Sequence, residues 1–217
     1  MQKENESDRE LSRPPRARGR PRAFDRQAAL DQAMRLFWEK GYEATSIADL
    51  TGRMCIGGPS LYAAFGSKEA LYAEALGHYQ KTNEHHVWER FSAAPTARGA
   101  IEAFLRDSAA VLTGCVIDAP LGCMVTLSTV ASEGYAELGE LVRASRAVTL
   151  ERLTVRIDRA VADGEVPAST DVHSLARFVQ TVQNGMSILA RDGASRAELE
   201  AVSELALLGW DARTRGQ

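Results

Sequence analysis

The sequence predicts an all-α protein, and three observations carry that expectation. Beyond residue 22 nearly every segment spaces its apolar residues three or four apart, the period of an amphipathic helix. No run alternates β-branched residues at the period of a strand. Gly41, Gly66, Gly164, Pro167 and Gly193 fall where those helical segments end. The expected layout is an N-terminal three-helix helix-turn-helix unit joined to a larger helical body.

Residues 1–22 are rich in Arg, Glu, Ser and Pro and poor in apolar side chains, so they cannot bury enough surface to offset the entropy of ordering. They read as a flexible basic arm. A first helix follows from an Asp25 N-cap to Lys40, with Leu30, Ala33, Met34, Phe37 and Trp38 on one face. A second opens at Ser46, which stands at capping-box spacing from Asp49, and carries Ile47, Leu50 and Met54. Gly57 and Gly58 interrupt, a short helix runs from about Pro59 to Phe65, and Ser67 caps a fourth containing Leu71, Ala75 and Leu76. Longer helices are expected at about 96–113, 136–163 and 171–191, a shorter one at 121–133, and a last one opened by Ser195 and Glu198.

The net charge of −3 conceals an asymmetry. Residues 13–68 hold ten Lys/Arg against five Asp/Glu, whereas residues 69–217 hold 14 against 20. A basic head on an acidic body suggests a polyanion-binding unit attached to something with another task. The three cysteines are odd in number and lack metal-type pairing, which fits a reducing cytoplasm. No apolar run reaches the ~20 residues of a membrane span, and the N-terminus lacks the apolar stretch of a secretory signal.

The stretch "LTGRMCIGGPSLYAAFGSKEAL", residues 50–71, stops a helix, bends the chain and restarts it. A helix, a tight turn and a short helix form the plan in which the second helix enters the DNA major groove. Gly57 and Gly58 then allow close backbone approach, Pro59 offers an apolar surface to a thymine methyl, and Tyr62 and Lys68 reach phosphates. Gly58, Pro59, Ser60, Ala63 and Ala64 leave the helix poor in long polar side chains, so methyl contacts and DNA shape would outweigh bidentate base readout. An ordinary αα-hairpin remains the alternative at this level.

The residues "GYEATSIADL…PSLYAAFGSKEALYAEAL" resemble the N-terminal domain of the TetR family of transcriptional regulators, from about Arg22 to Leu76. Phe37, Gly41, Tyr42, Thr45, Ser46, Leu61, Tyr62, Phe65, Lys68 and Leu71 stand at the family's spacing. The resemblance implies a DNA-binding domain at 23–69 and a ligand-binding and dimerisation domain at 70–217. It implies a homodimer on palindromic double-stranded operator DNA, released by a small molecule, and no enzyme activity or cofactor. Thr45, Ser46, Gly58, Pro59, Ser60, Tyr62, Ala63 and Lys68 fall where family members often touch DNA. The sequence departs from the pattern at the turn, where Cys55 replaces the usual Gly, and at Thr51, where a small Ala is usual. A left-handed non-glycine residue costs roughly 1 kcal/mol. Cys55 reads either as a buried, inert small side chain or as a redox handle beside DNA.

Two readings of the arm stand side by side. Arg18-Gly19-Arg20-Pro21 looks like an AT-hook core, with both arginines inserted in a narrow minor groove. Alternatively the arm is a basic leader that only raises local cation concentration. Both imply steep salt dependence.

In the body, the last two long helices carry more apolar surface than one chain's core needs. In this family they pair across a two-fold axis, and Phe178, Val182, Met186, Leu189, Val202 and Leu205 are assigned there, with intramolecular packing as the alternative. A largely apolar effector pocket is expected among the middle helices, with Trp88, Phe91, Phe104, Cys115, Cys123, Met124, Tyr135 and Asn184 as candidate walls. Cys115 and Cys123 leave a thiol-responsive regulator of the same fold open as an alternative. His78, His85 and His86 near Glu84 lack a firm further ligand, so no metal site is expected. No activated nucleophile, paired-carboxylate site or metal box supports an enzyme. A helical partner-binding dimer without DNA affinity would leave "PSLYAAFGSK" and the basic arm unexplained.

Overall fold

The computed structural model describes residues 24–128 and 135–214, and these residues form ten helices and no strand. The head consists of α1 (Arg26–Lys40), α2 (Ile47–Met54) and α3 (Gly58–Phe65), followed by α4 (Lys68–Asn83). Three of the four, α1, α2 and α4, begin where a side chain accepts from otherwise orphaned N–H groups. The Asp25 carboxylate accepts from the backbone of Gln27 and Ala28, and Ser67 accepts from Ala70. At α2 the box closes in both directions: Asp49 N–H donates to the Ser46 hydroxyl and Ser46 N–H to the Asp49 carboxylate, each at 3.0 Å. Gly57 caps α3 without a side chain and Pro59 occupies its first turn.

The body continues with α5 (His85–Ala93), α6 (Ala97–Leu112), α7 (Met124–Leu127), α8 (Ala136–Ala162), α9 (Val172–Arg191) and α10 (Arg196–Thr214). Two elements differ from the expectation. Helix α5 is additional to the helices the sequence predicts, because Glu84, in helical conformation, links it directly to α4 with no glycine or proline between them. The helix expected at 121–133 is a single turn over Met124–Leu127; residues 129–134 lie outside the described residues. Its carbonyls find a side chain instead of further helical N–H groups. Arg146 of α8 donates to the carbonyls of Val125, Thr126 and Ser128.

Two apolar cores result. The first joins α1–α4 around Phe37, Tyr42, Leu50, Leu61, Leu71 and Tyr72, and takes in Met124, Leu138 and Val142 from the body. Tyr72 meets Phe37 and Tyr42 edge-on, with ring centroids 5.1 and 5.0 Å away. Full burial of each such side chain stabilises by about 1.5–3 kcal/mol. The second core holds Phe104, Leu105, Leu153, Ile157, Val179, Met186, Leu199 and Trp210. Among the described residues no helix is long and apolar enough to cross a membrane.

Candidate nucleic-acid interface and the cavity behind it

Helix α3 is held by its inner face. Leu61 and Phe65 are buried, and the guanidinium of Arg26 lies 4.4 Å above the Phe65 ring. Arg26 also donates to the Ala64 carbonyl and, through both Nη atoms, to Glu74 at 2.6 and 2.7 Å. One side chain of α1 thus ties the C-terminal end of α3 to α4. Sequence reasoning misses this role, since it counts Arg26 only as part of the basic head. The opposite face is open: Pro59, Ser60, Tyr62 and Ala63 are exposed or nearly so, Tyr62 at 49%. Gly58 is half-buried, and a Cβ there would meet nothing within 4 Å. Nothing within the chain therefore demands glycine at 58.

Other predicted positions fare differently. Ser46 is exposed beside this face, with its hydroxyl bonded to Asp49. Thr45 is a correction. It is 0% exposed and its hydroxyl donates to the Gly41 carbonyl at 2.6 Å, so it braces the α1–α2 turn and presents nothing to DNA. Lys68 is half-buried, with its ammonium 4.3 Å from the centre of the Tyr42 ring, and burial lowers its pKa. Arg18 and Arg20 lie outside the described residues.

Cys55 has φ 55° and ψ 39°, the only left-handed non-glycine residue among those described. Contrary to the buried reading, its side chain is exposed. The turn is held by backbone bonds from Cys55 and Ile56 to Gly52 and Thr51, so the thiol is not needed inside.

Charge is distributed unexpectedly. Of the five basic side chains from residue 24 to residue 68, four pair with carboxylates: Arg26 with Glu74, Arg35 with Asp118, Lys40 with Asp49 and Arg53 with Glu39. Five acidic residues occupy the same stretch, so the head's excess of positive charge resides in the five arginines of residues 13–22.

Behind the head, a cavity of about 420 Å³ opens between α4, α5, α6, α7, α8 and α9. Trp88, Phe104, Cys123 and Asn184 line it. Phe91 and Met124 do not. Phe91 is buried against Trp88 and Phe104 at the second core, and Met124 is buried in the first. Tyr135 packs edge-on against Tyr42, at 5.1 Å, and Cys115 is exposed; neither is a wall of this cavity. The Cys123 thiol is shielded on one side by Tyr79, whose hydroxyl donates to Sγ at 3.3 Å. The described residues contain no group of His, Cys, Asp or Glu placed to hold a metal; His78 bonds Asp31 instead.

The outer surfaces of α9 and α10 carry exposed apolar side chains: Phe178, Ile188 and Leu189 on the first, Leu205 and Leu208 on the second. Val182 and Val202 are half-buried against the second core. Met186, assigned to a partner-facing surface, is 0% exposed and packs inside its own chain, which corrects that assignment.

A short helix with one open face, set by a tight turn against a three-helix core, defines a helix-turn-helix DNA-binding unit. The sequence model described as "Bacterial regulatory proteins, tetR family" matches residues 29–75. Over nearly its whole length the chain is similar to the HTH-type transcriptional repressor ComR of Escherichia coli (strain K12), 36% identical over 203 residues, spanning 90% of this chain and 93% of that protein. It is 31% identical to the HTH-type transcriptional repressor BdcR of the same organism, spanning 88% and 91% of the two chains. Among solved structures, a cysteine mutant of the TetR family transcriptional regulator CifR, complexed with 26 bp double-strand operator DNA, matches with TM-score 0.82 and 42% identity, covering 88% of this chain and 100% of that one. The chain belongs to the TetR family of transcriptional regulators.

Proposed function

We propose that this regulator acts as a repressor that binds palindromic operator DNA as a homodimer and is released by a small molecule entering the cavity behind α4, in the reducing cytoplasm. The observation that carries the DNA reading is the open face of α3, where Pro59, Ser60, Tyr62 and Ala63 stand over buried Leu61 and Phe65. Gly58 and Pro59 bring backbone and apolar surface to the groove, and the Tyr62 hydroxyl donates to a phosphate. Lys68 adds a charge at the start of α4. The operator-bound CifR structure and the repressors ComR and BdcR support the assignment by similarity.

Dimerisation is supported by the exposed Phe178, Leu189, Leu205 and Leu208 on two adjacent helices, a surface of the kind that seeks a partner. Pairing through it would set two α3 helices at a fixed separation, about 34 Å for successive major grooves. Release follows when an effector changes that separation.

The test is fluorescence anisotropy with a duplex taken from upstream of the protein's own gene. Wild type is expected to bind as a dimer, with affinity falling steeply as salt rises. Tyr62→Ala is expected to weaken binding while circular dichroism stays unchanged. No binding at low salt, or an unaltered affinity in Tyr62→Ala, contradicts the reading.

A further inference from the structure

The cavity has two unlike walls. Helices α5 and α6 contribute Val87, Trp88, Phe104, Val111 and Leu112, an apolar wall. Helices α8 and α9 contribute mostly polar side chains, among them Ser145, Arg146, Thr149, Gln183 and Asn184. A ligand that fits both walls carries a hydrocarbon end and a polar end.

The charge of that polar end follows from the lining. Three cations, Lys81, Arg146 and Arg152, line the cavity against one carboxylate, Glu84. Arg152 and Glu84 pair with each other, so their charges cancel. Arg146 is half-buried and makes no ion pair among the described residues. Its Nε and Nη2 donate to the carbonyls of Val125, Thr126 and Ser128, all neutral groups. Both hydrogens of Nη1 are left over. Unlike Nη1 of Arg156, which is sealed and unpartnered, Nη1 of Arg146 is not closed off from accessible space. Lys81, exposed at the edge, makes no ion pair either; Glu74, whose charge it feels, is already bound by Arg26 at 2.6 Å. The cavity therefore holds an excess of positive charge, which attracts an anion and repels a cation. Carbonyl dipoles alone offset a half-buried guanidinium less well than a negative charge does.

We propose that the cavity takes an amphipathic organic anion, such as an aryl or alkyl carboxylate, with the anionic group at Nη1 of Arg146 and the hydrocarbon against Trp88 and Phe104. Asn184 accepts at Oδ1 from the Thr126 hydroxyl at 3.2 Å, so its amide N–H₂ is a further donor to the same group. Lys81 adds to the attraction at the edge. This inference rests on the proposal that the cavity is the effector site, and it adds the class of effector.

The experiment uses two matched sets: hydrocinnamate, benzylacetone and phenylpropylammonium, then heptanoate, methyl hexyl ketone and heptylammonium. Each set shares a hydrocarbon and differs in a negative, neutral or positive head, with the acids and amines ionised at pH about 8. Calorimetric titration of the full-length protein is expected to show at least one carboxylate binding most tightly in its set. Its affinity should fall as salt rises, while that of its ketone should not. Arg146→Gln is expected to weaken that carboxylate about ten-fold, the size of one hydrogen bond to a charged group, and its ketone far less, with circular dichroism certifying the fold. The wild-type comparison and its salt dependence decide the inference even where Arg146→Gln, which also loosens α7, does not fold. A ketone or ammonium binding as tightly as its carboxylate in both sets overturns the inference. So does a carboxylate affinity indifferent to salt, an unweakened carboxylate in folded Arg146→Gln, or no binding by either carboxylate. A carboxylate that binds as described yet leaves the protein–DNA complex intact removes the effector reading of the cavity while the ligand class stands.

Discussion

The indole N–H of Trp38, near the end of α1, donates to the carbonyl of Gly122 across 3.2 Å in a buried contact between the head and the body. Around it, Arg191 of α9 donates to the carbonyls of Trp38 at 2.9 Å, Glu39 at 3.2 Å and Leu121 at 2.8 Å. The last carbonyls of α1 are thus satisfied by a cation from the body, which also complements the negative end of the helix dipole. Gly122 sits at φ 77°, where a Cβ would fall 2.7 Å from the Ser187 carbonyl oxygen. Trp38→Phe keeps an aromatic ring and leaves that carbonyl unpaired, so unfolding in urea should show a loss of about 1–3 kcal/mol. Gly122→Ala should also destabilise, because φ is positive and one of the two obstructing atoms, the Ser187 carbonyl oxygen, is backbone.

The arginines of residues 13–22 carry the head's net positive charge, since residues 24–68 balance. Removal of residues 1–22 should leave the thermal midpoint unchanged and flatten the dependence of DNA affinity on salt. The logarithmic slope falls by about 0.9 for every phosphate that the arm neutralises in the intact protein. An unchanged slope would mean that the arm does not touch DNA. Lys68→Gln should flatten the slope by one further phosphate.

Cys55 holds a left-handed conformation that glycine adopts without penalty. Cys55→Gly should therefore raise stability by up to about 1 kcal/mol, and Cys55→Val should lower it. Chemical denaturation of the two variants against wild type checks the sign.

The capping box of α2 predicts a specific acid response. Hydrogen bonds from the Ser46 backbone, then the Ser46 hydroxyl, and the nearby Lys40 ammonium lower the Asp49 pKa to about 2. A depressed folded-state value means that the stabilisation is complete above the ordinary carboxylate range and is lost as pH falls towards 2. In acid unfolding curves, Asp49→Asn should be less stable than wild type near neutrality and converge with it as Asp49 is protonated. A constant difference at every pH would contradict the assignment.

Leu205 and Leu208 are 68% and 65% exposed, so charged substitutions there cost the isolated chain little. Leu205→Glu should fold normally and sediment as a monomer. It should also bind the full operator far more weakly than wild type. A dimeric Leu205→Glu protein would move the interface elsewhere.

Local chemistry is the legible part of this fold. Asp25, Ser46 with Asp49, Ser67, and Ser195 with Glu198 are read correctly as helix starts because a cap depends on residues within three positions of one another. Thr45, Met124 and Met186 are misread from sequence because their direction depends on helices distant along the chain. Thr45 follows the carbonyl of Gly41 inward, and Met186 lies on the α9 stripe that faces α6 and α10 rather than a partner. Helix α5 has a signal in Val87, Trp88 and Phe91, which share one face, yet no stop residue separates it from α4. The lining of the cavity is hidden for the same reason as Met186, since residues of six helices distant along the chain meet there.

Selection from a random-sequence duplex pool with the purified full-length protein tests the central claim most directly. The predicted result is one enriched palindrome whose half-site centres lie an integral number of helical turns apart, about 10 base pairs each, with enrichment lost in Tyr62→Ala. Failure to enrich any sequence, or enrichment of a single asymmetric site untouched by Tyr62→Ala, would contradict a dimeric regulator that reads DNA through α3.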